Sequence, residues 1–171
     1  EKDRRAGTEN VAGAVGFATA LRLAEEEFAP RNAHSRHLRD RLLRELPARI
    51  PRTRVNGPSD PAGRISNNAS FCFQFVEGEA VLLALDMNGI AASSGSACTS
   101  GSLEPSHVLT AIGVPLEIAR SSLRLTVGKD TTDAQIDQTL MLLETAVARL
   151  RALSPVNAAI PDVEQLVGRR V

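Results

Sequence analysis

A chain of 171 residues is of a size for one domain, or one domain with an appended element, and its 43% hydrophobic content is enough for an ordinary core, which argues against disorder. Twenty basic and twenty acidic residues cancel, so no general electrostatic case for nucleic acid exists, although the basic side is dominated by arginine. No apolar run approaches the roughly 20 residues that span a membrane and no signal peptide is visible. A soluble, cytoplasmic protein is therefore expected, with no membrane and no nucleic-acid partner. Two cysteines and three histidines offer neither a disulfide framework nor a metal-ligand spacing, and no metal site is expected.

Apolar residues recur at helical spacing from Asn10 to about Phe28 (Val11, Ala14, Val15, Ala18, Leu21), which predicts an amphipathic helix with its polar side toward solvent. Pro30 marks a kink or restart. Leu38, Leu42 and Leu46 then carry a second helical segment, rich in arginine on its outer face, until Pro47 and Pro51 end it. Those arginines read either as solvated or as facing an acidic partner.

The segment from Arg54 to Pro58 reads as a short strand closed by a turn, and Ser59 to Gly63 continues as loop. A strand over Ala69–Phe75 follows, whose alternation puts Phe71, Phe73 and Phe75 on one face and Cys72, taken as structural, on the other. A helix is expected from about Glu79 to Met87, stopped by Asn88-Gly89, and Ile90 to Ala92 should be the next strand. Further helices are expected from Pro105 to about Ile112 and after Pro115, then a strand over Ser122–Val127. Thr132 with Gln135 three residues later has capping-box form, and Ile136, Leu140, Leu143, Val147 and Leu150 mark a long final helix. Strands alternating with helices indicate an α/β class with helices packed on one sheet, preceded by a helical arm.

Between the third expected strand and the next helix lies Ser93-Ser94-Gly95-Ser96-Ala97-Cys98-Thr99-Ser100-Gly101-Ser102-Leu103-Glu104-Pro105. Small residues surround the thiol and two glycines open backbone conformations closed to others, so a flexible surface loop is expected in place of a buried position. Cys98 in such a loop can reach out and react. On these residues alone, a sulfur acceptor and a redox-sensing cysteine both fit.

This stretch resembles the group I cysteine desulfurases of the NifS/IscS type, together with Val76-Glu77-Gly78-Glu79 before it and Glu104-Pro105-Ser106-His107 after it. The resemblance extends upstream to Arg4-Arg5-Ala6-Gly7-Thr8-Glu9-Asn10 and downstream to Ser121-Ser122-Leu123-Arg124 and Thr131-Thr132, so it covers the chain to about Leu153. It implies a pyridoxal 5'-phosphate enzyme that converts L-cysteine to L-alanine and leaves the sulfur on Cys98 as a persulfide. The fold implied is the C-terminal small domain of a fold-type I transferase of the class V aminotransferase family, with a mixed sheet packed with helices. Residues 1–30 would then end the large cofactor domain and form the connecting helix, 31–153 would be the small domain with its catalytic cysteine loop at 93–105, and 154–171 would be a tail without family signal.

By the same resemblance Arg124 grips the substrate carboxylate, a match of planar guanidinium to carboxylate that is chemically sound. On spacing alone an arginine at a strand end reads as a surface residue. Thr8 would contact the cofactor phosphate of a neighbouring subunit, implying a homodimer with shared active sites, with Arg5 close enough to assist. Without the resemblance, Gly7-Thr8 reads as a helix cap. A sulfur-acceptor protein, such as an iron-sulfur scaffold, is the implied partner, and iron-sulfur cluster or thiocofactor assembly the implied purpose.

The cofactor requires a lysine for its Schiff base. Lys2 and Lys129 are the two lysines, and both read as solvated. In the family that lysine lies upstream of the matching start of this sequence, as does a histidine that stacks on the cofactor. The chain is therefore expected to be the C-terminal portion of a longer enzyme and inactive alone. Two alternatives stand beside this reading: a related lyase or aminotransferase of the same fold, and a non-catalytic sulfur-relay or interaction module.

Overall fold

The computed structural model describes residues 7–58, 60–94 and 106–154. The chain opens with helices α1 (Val11–Glu26) and α2 (Phe28–Arg49), and the break at Glu27 has a chemical cause. Pro30 has no N–H to give the Glu26 carbonyl, so the ladder is interrupted there, while Arg31 N–H resumes it to Glu27 O at 3.0 Å. Pro47 does not end α2 as expected. It sits inside the last turn, which continues to Arg49, and Ile50 N–H closes the helix on Leu46 O at 2.9 Å.

Strand β1 (Thr53–Val55) follows, then a short 3-10 turn at Pro61–Gly63, β2 (Asn68–Phe73), and helix α3 (Gly78–Asp86). Helices α4 (His107–Ala111) and α5 (Leu116–Ala119), strand β3 (Ser122–Thr126) and helix α6 (Asp133–Leu153) complete the described chain. The sheet has the order β1-β2-β3, with Val55 opposite Phe71 and Ser70 opposite Arg124. The α/β architecture with helices on a sheet is as expected from the sequence, and both ladders among the described residues are antiparallel. Residues Ile90 to Ala92 do not form the expected strand. Pairing there contracts to a single antiparallel bridge between Ser93 and Arg124.

One face of the sheet carries the main core. Phe71 and Phe73 stack with centroids 6.1 Å apart. They pack with Leu38, Leu42 and Leu46 of α2, Val81 and Leu85 of α3, and Ile136, Leu140, Leu143 and Val147 of α6. Burying each such leucine stabilises the fold by roughly 1.5 to 3 kcal/mol. On the opposite face Cys72 packs with Leu109, Val114, Ile118 and Ala119, so the strand alternation read from the sequence holds for Phe71, Cys72 and Phe73. It fails at Phe75. That residue lies beyond the strand with φ 68°, and Arg52 stacks over its ring at 5.0 Å.

The arginines of α2 are neither uniformly solvated nor waiting for an outside acid. Arg39 is 1% exposed. Its Nε and Nη2 donate to Asp40 Oδ1, and its Nη1 donates to the carbonyls of Arg64 and Ile65 at 3.1 and 2.8 Å. Arg41 clamps α2 to the start of α6, donating to Glu45 within its own helix and to Asp133 and Asp137 across the gap. The capping box of α6 is present as expected, with Gln135 N–H donating to Thr132 Oγ1 and Thr132 N–H to Gln135 Oε1. Helix α1 is the exception to this packing: none of its residues is buried, and Val15, Phe17 and Leu21 are 61%, 74% and 60% exposed. The expected core-facing stripe of α1 is thus uncovered in this structure.

Candidate functional site

Arg124 stands in the middle of β3, held on both sides. Its backbone faces Ser70 of β2 and, across the other edge, exchanges hydrogen bonds with Ser93: Arg124 N–H to Ser93 O at 2.6 Å and Ser93 N–H to Arg124 O at 3.1 Å. Its Nη2 lies 3.4 Å from Ser93 Oγ. The guanidinium lines a cavity of about 270 Å3 together with Asn56, Arg64, Asn68, Ser70 and Ser106. Among the described residues, two arginines and no carboxylate line that cavity, so these side chains favour an anionic group.

Arg64 reaches it from the loop after the 3-10 turn. Its Nε donates to Pro58 O at 2.7 Å, and its guanidinium lies over Gly57, where a Cβ would stand 3.5 Å from Nη1. Gly57 has φ +90°, a conformation that leaves room for this approach. Arg64 Nη2 and Asn68 Oδ1 are shielded from solvent without a hydrogen-bond partner among the described residues. Burial, with the Arg39 charge nearby, lowers the Arg64 pKa. A donor and an acceptor thus await a ligand or a chain segment, since unpaired shielded groups are costly.

Cys98 lies outside the described residues, as do residues 95–105 of the expected loop 93–105. The flanks of that segment are described. Ser94 O accepts from Ser122 Oγ at 2.8 Å, two residues from Arg124, and Ser106 is buried in the cavity wall. The two described flanks of that segment, Ser94 and Ser106, therefore stand beside Arg124.

Thr8 is exposed ahead of α1 and does not line the cavity. Nor does it cap the helix: Asn10 Oδ1 accepts from Gly13 N–H at 2.8 Å and holds that position. Arg5 lies outside the described residues. Lys129 is exposed on the turn after β3. The described residues accordingly do not fit a resident pyridoxal phosphate on their own, because no described lysine is enclosed. Cys72 is fully buried beside the Asn56 amide, with Nδ2 to Sγ at 3.3 Å. Burial pushes its thiol pKa up, so it stays protonated and inert at neutral pH.

Sequence reasoning singled out Arg124, which lines the cavity, but not Arg64, Asn56 or the cavity serines. Arg64 is one of many arginines in a loop. Its role depends on the approach of Gly57, a contact between segments that no local spacing signals.

The profile of class-V aminotransferases matches residues 1–139, and the chain belongs to that family. Among curated proteins it is 48% identical over 155 residues to "Cysteine desulfurase IscS" of Clostridium botulinum (strain Hall), covering 91% of this chain and 39% of that protein. It is 49% identical over 157 residues to "Cysteine desulfurase IscS" of Methanosarcina thermophila, covering 92% and 38%. Among solved structures it matches a "NifS-like protein" with TM-score 0.70 and 28% identity, over 85% of this chain and 36% of that one. A NifS-like protein from Rickettsia africae gives TM-score 0.69 at 27% identity, over 84% and 36%. The chain thus spans about two fifths of the length of the curated relatives it matches.

Proposed function

We propose that this chain serves within a pyridoxal-phosphate-dependent cysteine desulfurase, supplying the substrate-carboxylate arginine and the sulfur-accepting cysteine. The observation that carries the reading is the position of both described flanks of the Cys98 segment beside Arg124, with Ser94 held by Ser122 and Ser106 in the cavity wall. Arg124 binds the carboxylate of L-cysteine by a bidentate grip, and Cys98 receives the sulfur as a thiolate, leaving L-alanine. Ser93 and Ser122 hold the base of the cysteine segment against β3, which sets where the thiol starts from. Pyridoxal phosphate, when bound, supplies the electron sink for the carbon chemistry.

Neither Lys2 nor Lys129 is assigned the cofactor's Schiff base, so this chain alone is expected to be inactive. The exposed apolar residues of α1 support its reading as an arm belonging with a large cofactor domain, residues 1–30, with residues 31–153 as the small domain. Thr8, on this reading, contacts the cofactor phosphate of a second subunit in a homodimer. An acceptor protein, such as an iron-sulfur scaffold, then draws the persulfide sulfur from Cys98.

The experiment is persulfide trapping in the whole protein that carries this chain. After incubation with L-cysteine, mass spectrometry is expected to find the added sulfur on Cys98, alongside released alanine. Alanine formed with the sulfur on Cys72, or no alanine at all, overturns the assignment.

A further inference from the structure

We propose that the cavity beside Arg64 binds a free α-amino acid with a small apolar side chain, as its zwitterion and without covalent capture. Arg64 supplies the carboxylate contact and Asn68 the ammonium contact. The Arg64 guanidinium is set in place before any ligand arrives, because its Nε donates to Pro58 O at 2.7 Å and it lies over Gly57, which has no side chain to displace it. Its charge is not neutralised. No ion pair to Arg64 forms among the described residues. The Arg39 guanidinium, which acts on it, is itself taken up by Asp40 and the carbonyls of Arg64 and Ile65. Arg64 Nη2 is thus a shielded cationic donor with no partner among the described residues, and a carboxylate satisfies it.

Asn68 narrows the ligand. It opens β2 opposite Thr126 and lines the same cavity, and its Oδ1 is shielded and unpartnered among the described residues. A bare oxyanion would leave that oxygen facing negative charge, whereas a ligand with an N–H donor next to its carboxylate meets both groups at once. An α-amino acid has that arrangement. The third contact is apolar: Val108 and Ile112 of α4, 55% and 49% exposed, line the cavity with buried Leu109, and a small aliphatic side chain covers them. At about 270 Å3 the cavity falls below the roughly 300 to 1,000 Å3 of drug-sized sites, which suits one amino acid better than a peptide or a nucleotide. Arg124 lines it too, so a molecule bound at Arg64 stands beside the guanidinium assigned to the substrate carboxylate. On the desulfurase reading, free L-cysteine arrives and free L-alanine lingers here; the binding itself does not depend on that reading.

The test is calorimetric titration of the whole protein, cofactor included, with N-methyl-L-alanine, whose secondary amine forms no imine with the cofactor. Saturable binding is expected, and propionate, which lacks the N–H donor, should bind severalfold more weakly. Arg64→Gln should weaken binding of the probe by about one to two orders of magnitude, the loss that follows from removing a charge-assisted hydrogen bond, and Arg64→Lys by less. Asn68→Ala should bring the probe down to the propionate level and leave propionate itself unchanged. Melting curves identify a variant that has unfolded, and the comparison of the two ligands on the wild type needs no variant. No binding to the wild type, propionate binding as tightly as N-methyl-L-alanine, or full binding in a folded Arg64→Gln variant each overturns the proposal. Alanine release from L-cysteine, measured on the same preparation, reports on the desulfurase reading alone, so an active protein that fails these titrations loses this site and keeps its reaction.

Discussion

Ser93 and Arg124 exchange both backbone hydrogen bonds, at 2.6 and 3.1 Å, in an isolated antiparallel bridge outside the three-stranded ladder. The pair joins the edge of the sheet to the base of the cysteine-bearing segment. Its geometry fixes where that segment starts relative to the guanidinium. Ser93→Pro removes the N–H that Arg124 O accepts, and the expected loss is about 1 to 3 kcal/mol of stability where that carbonyl is left unpaired. In the whole protein, sulfur transfer to Cys98 should slow while cofactor content stays unchanged. Turnover measured beside a denaturation curve checks both, and unaltered transfer would remove the bridge from the positioning of the thiol.

Arg124→Lys keeps the charge and loses the planar two-bond grip. Losing one charge-assisted hydrogen bond of about 1.5 to 3 kcal/mol lowers catalytic efficiency for L-cysteine by roughly one to two orders of magnitude. The melting temperature should hardly change, because Arg124 is only partly buried and its side-chain contact with Ser93 Oγ is long at 3.4 Å. Steady-state kinetics in the whole protein provide the measurement. Wild-type efficiency in the Lys variant would take Arg124 out of the substrate site.

The two cysteines should separate cleanly. Cys98→Ala is expected to abolish persulfide formation with the fold intact. Cys72→Ala leaves transfer in place but costs about 1 to 3 kcal/mol, because it hollows the small core and takes a partner from the buried Asn56 amide. Alkylation of the native chain, followed by mapping of the modified thiol, should mark Cys98 and leave Cys72 untouched.

Much of the fold could be read locally. The capping box at Thr132 and Gln135, the proline break before α2 and the alternation across Phe71, Cys72 and Phe73 all depend on residues within a few positions of each other. The failures share a cause. Ile90–Ala92 has strand-like composition, but the pairing partner on β3 is met at Ser93 alone, and no local pattern encodes that register. Arg39 looked like one more surface arginine, yet the carbonyls of Arg64 and Ile65, 25 and 26 residues away, turn it inward. At the cavity, Arg124 had been singled out through the family pattern, whereas Arg64 and Asn56 enter through tertiary approach.

Acid should weaken the α2–α6 clamp. Arg41 holds the Glu45 carboxyl below its ordinary pKa, and Arg41 with His37 does the same to Asp133. A carboxylate with a depressed folded pKa contributes stability above its unfolded pKa, and that contribution is lost as pH falls through the folded value. The clamp is therefore intact at neutral pH and fails below the usual carboxylate range of about 4. Unfolding free energy measured from neutral to acid pH should fall at the acid end. Glu45→Gln with Asp133→Asn should be less stable at neutral pH and show a shallower acid decline, whereas an unchanged slope would place the acid sensitivity elsewhere.

Gly78 opens α3 where the chain passes directly over the start of β3. Its N–H donates to Arg120 O at 3.0 Å, and a Cβ at this position would stand 2.7 Å from Ser122 O and 2.9 Å from Arg120 O. Both obstacles are backbone, so neither yields by a side-chain rotation. Gly78→Ala must push α3 off the strand, at a cost of about 1 to 3 kcal/mol typical of overpacking, against the gain an alanine ordinarily brings to a helix. The displacement reaches Ser122, whose hydroxyl holds Ser94, and so the variant should also slow sulfur transfer in the whole protein. Gly78→Ser should behave alike, since any Cβ meets the same oxygens. A melting temperature equal to or above wild type in Gly78→Ala would show that the helix start and the strand are not in this close contact.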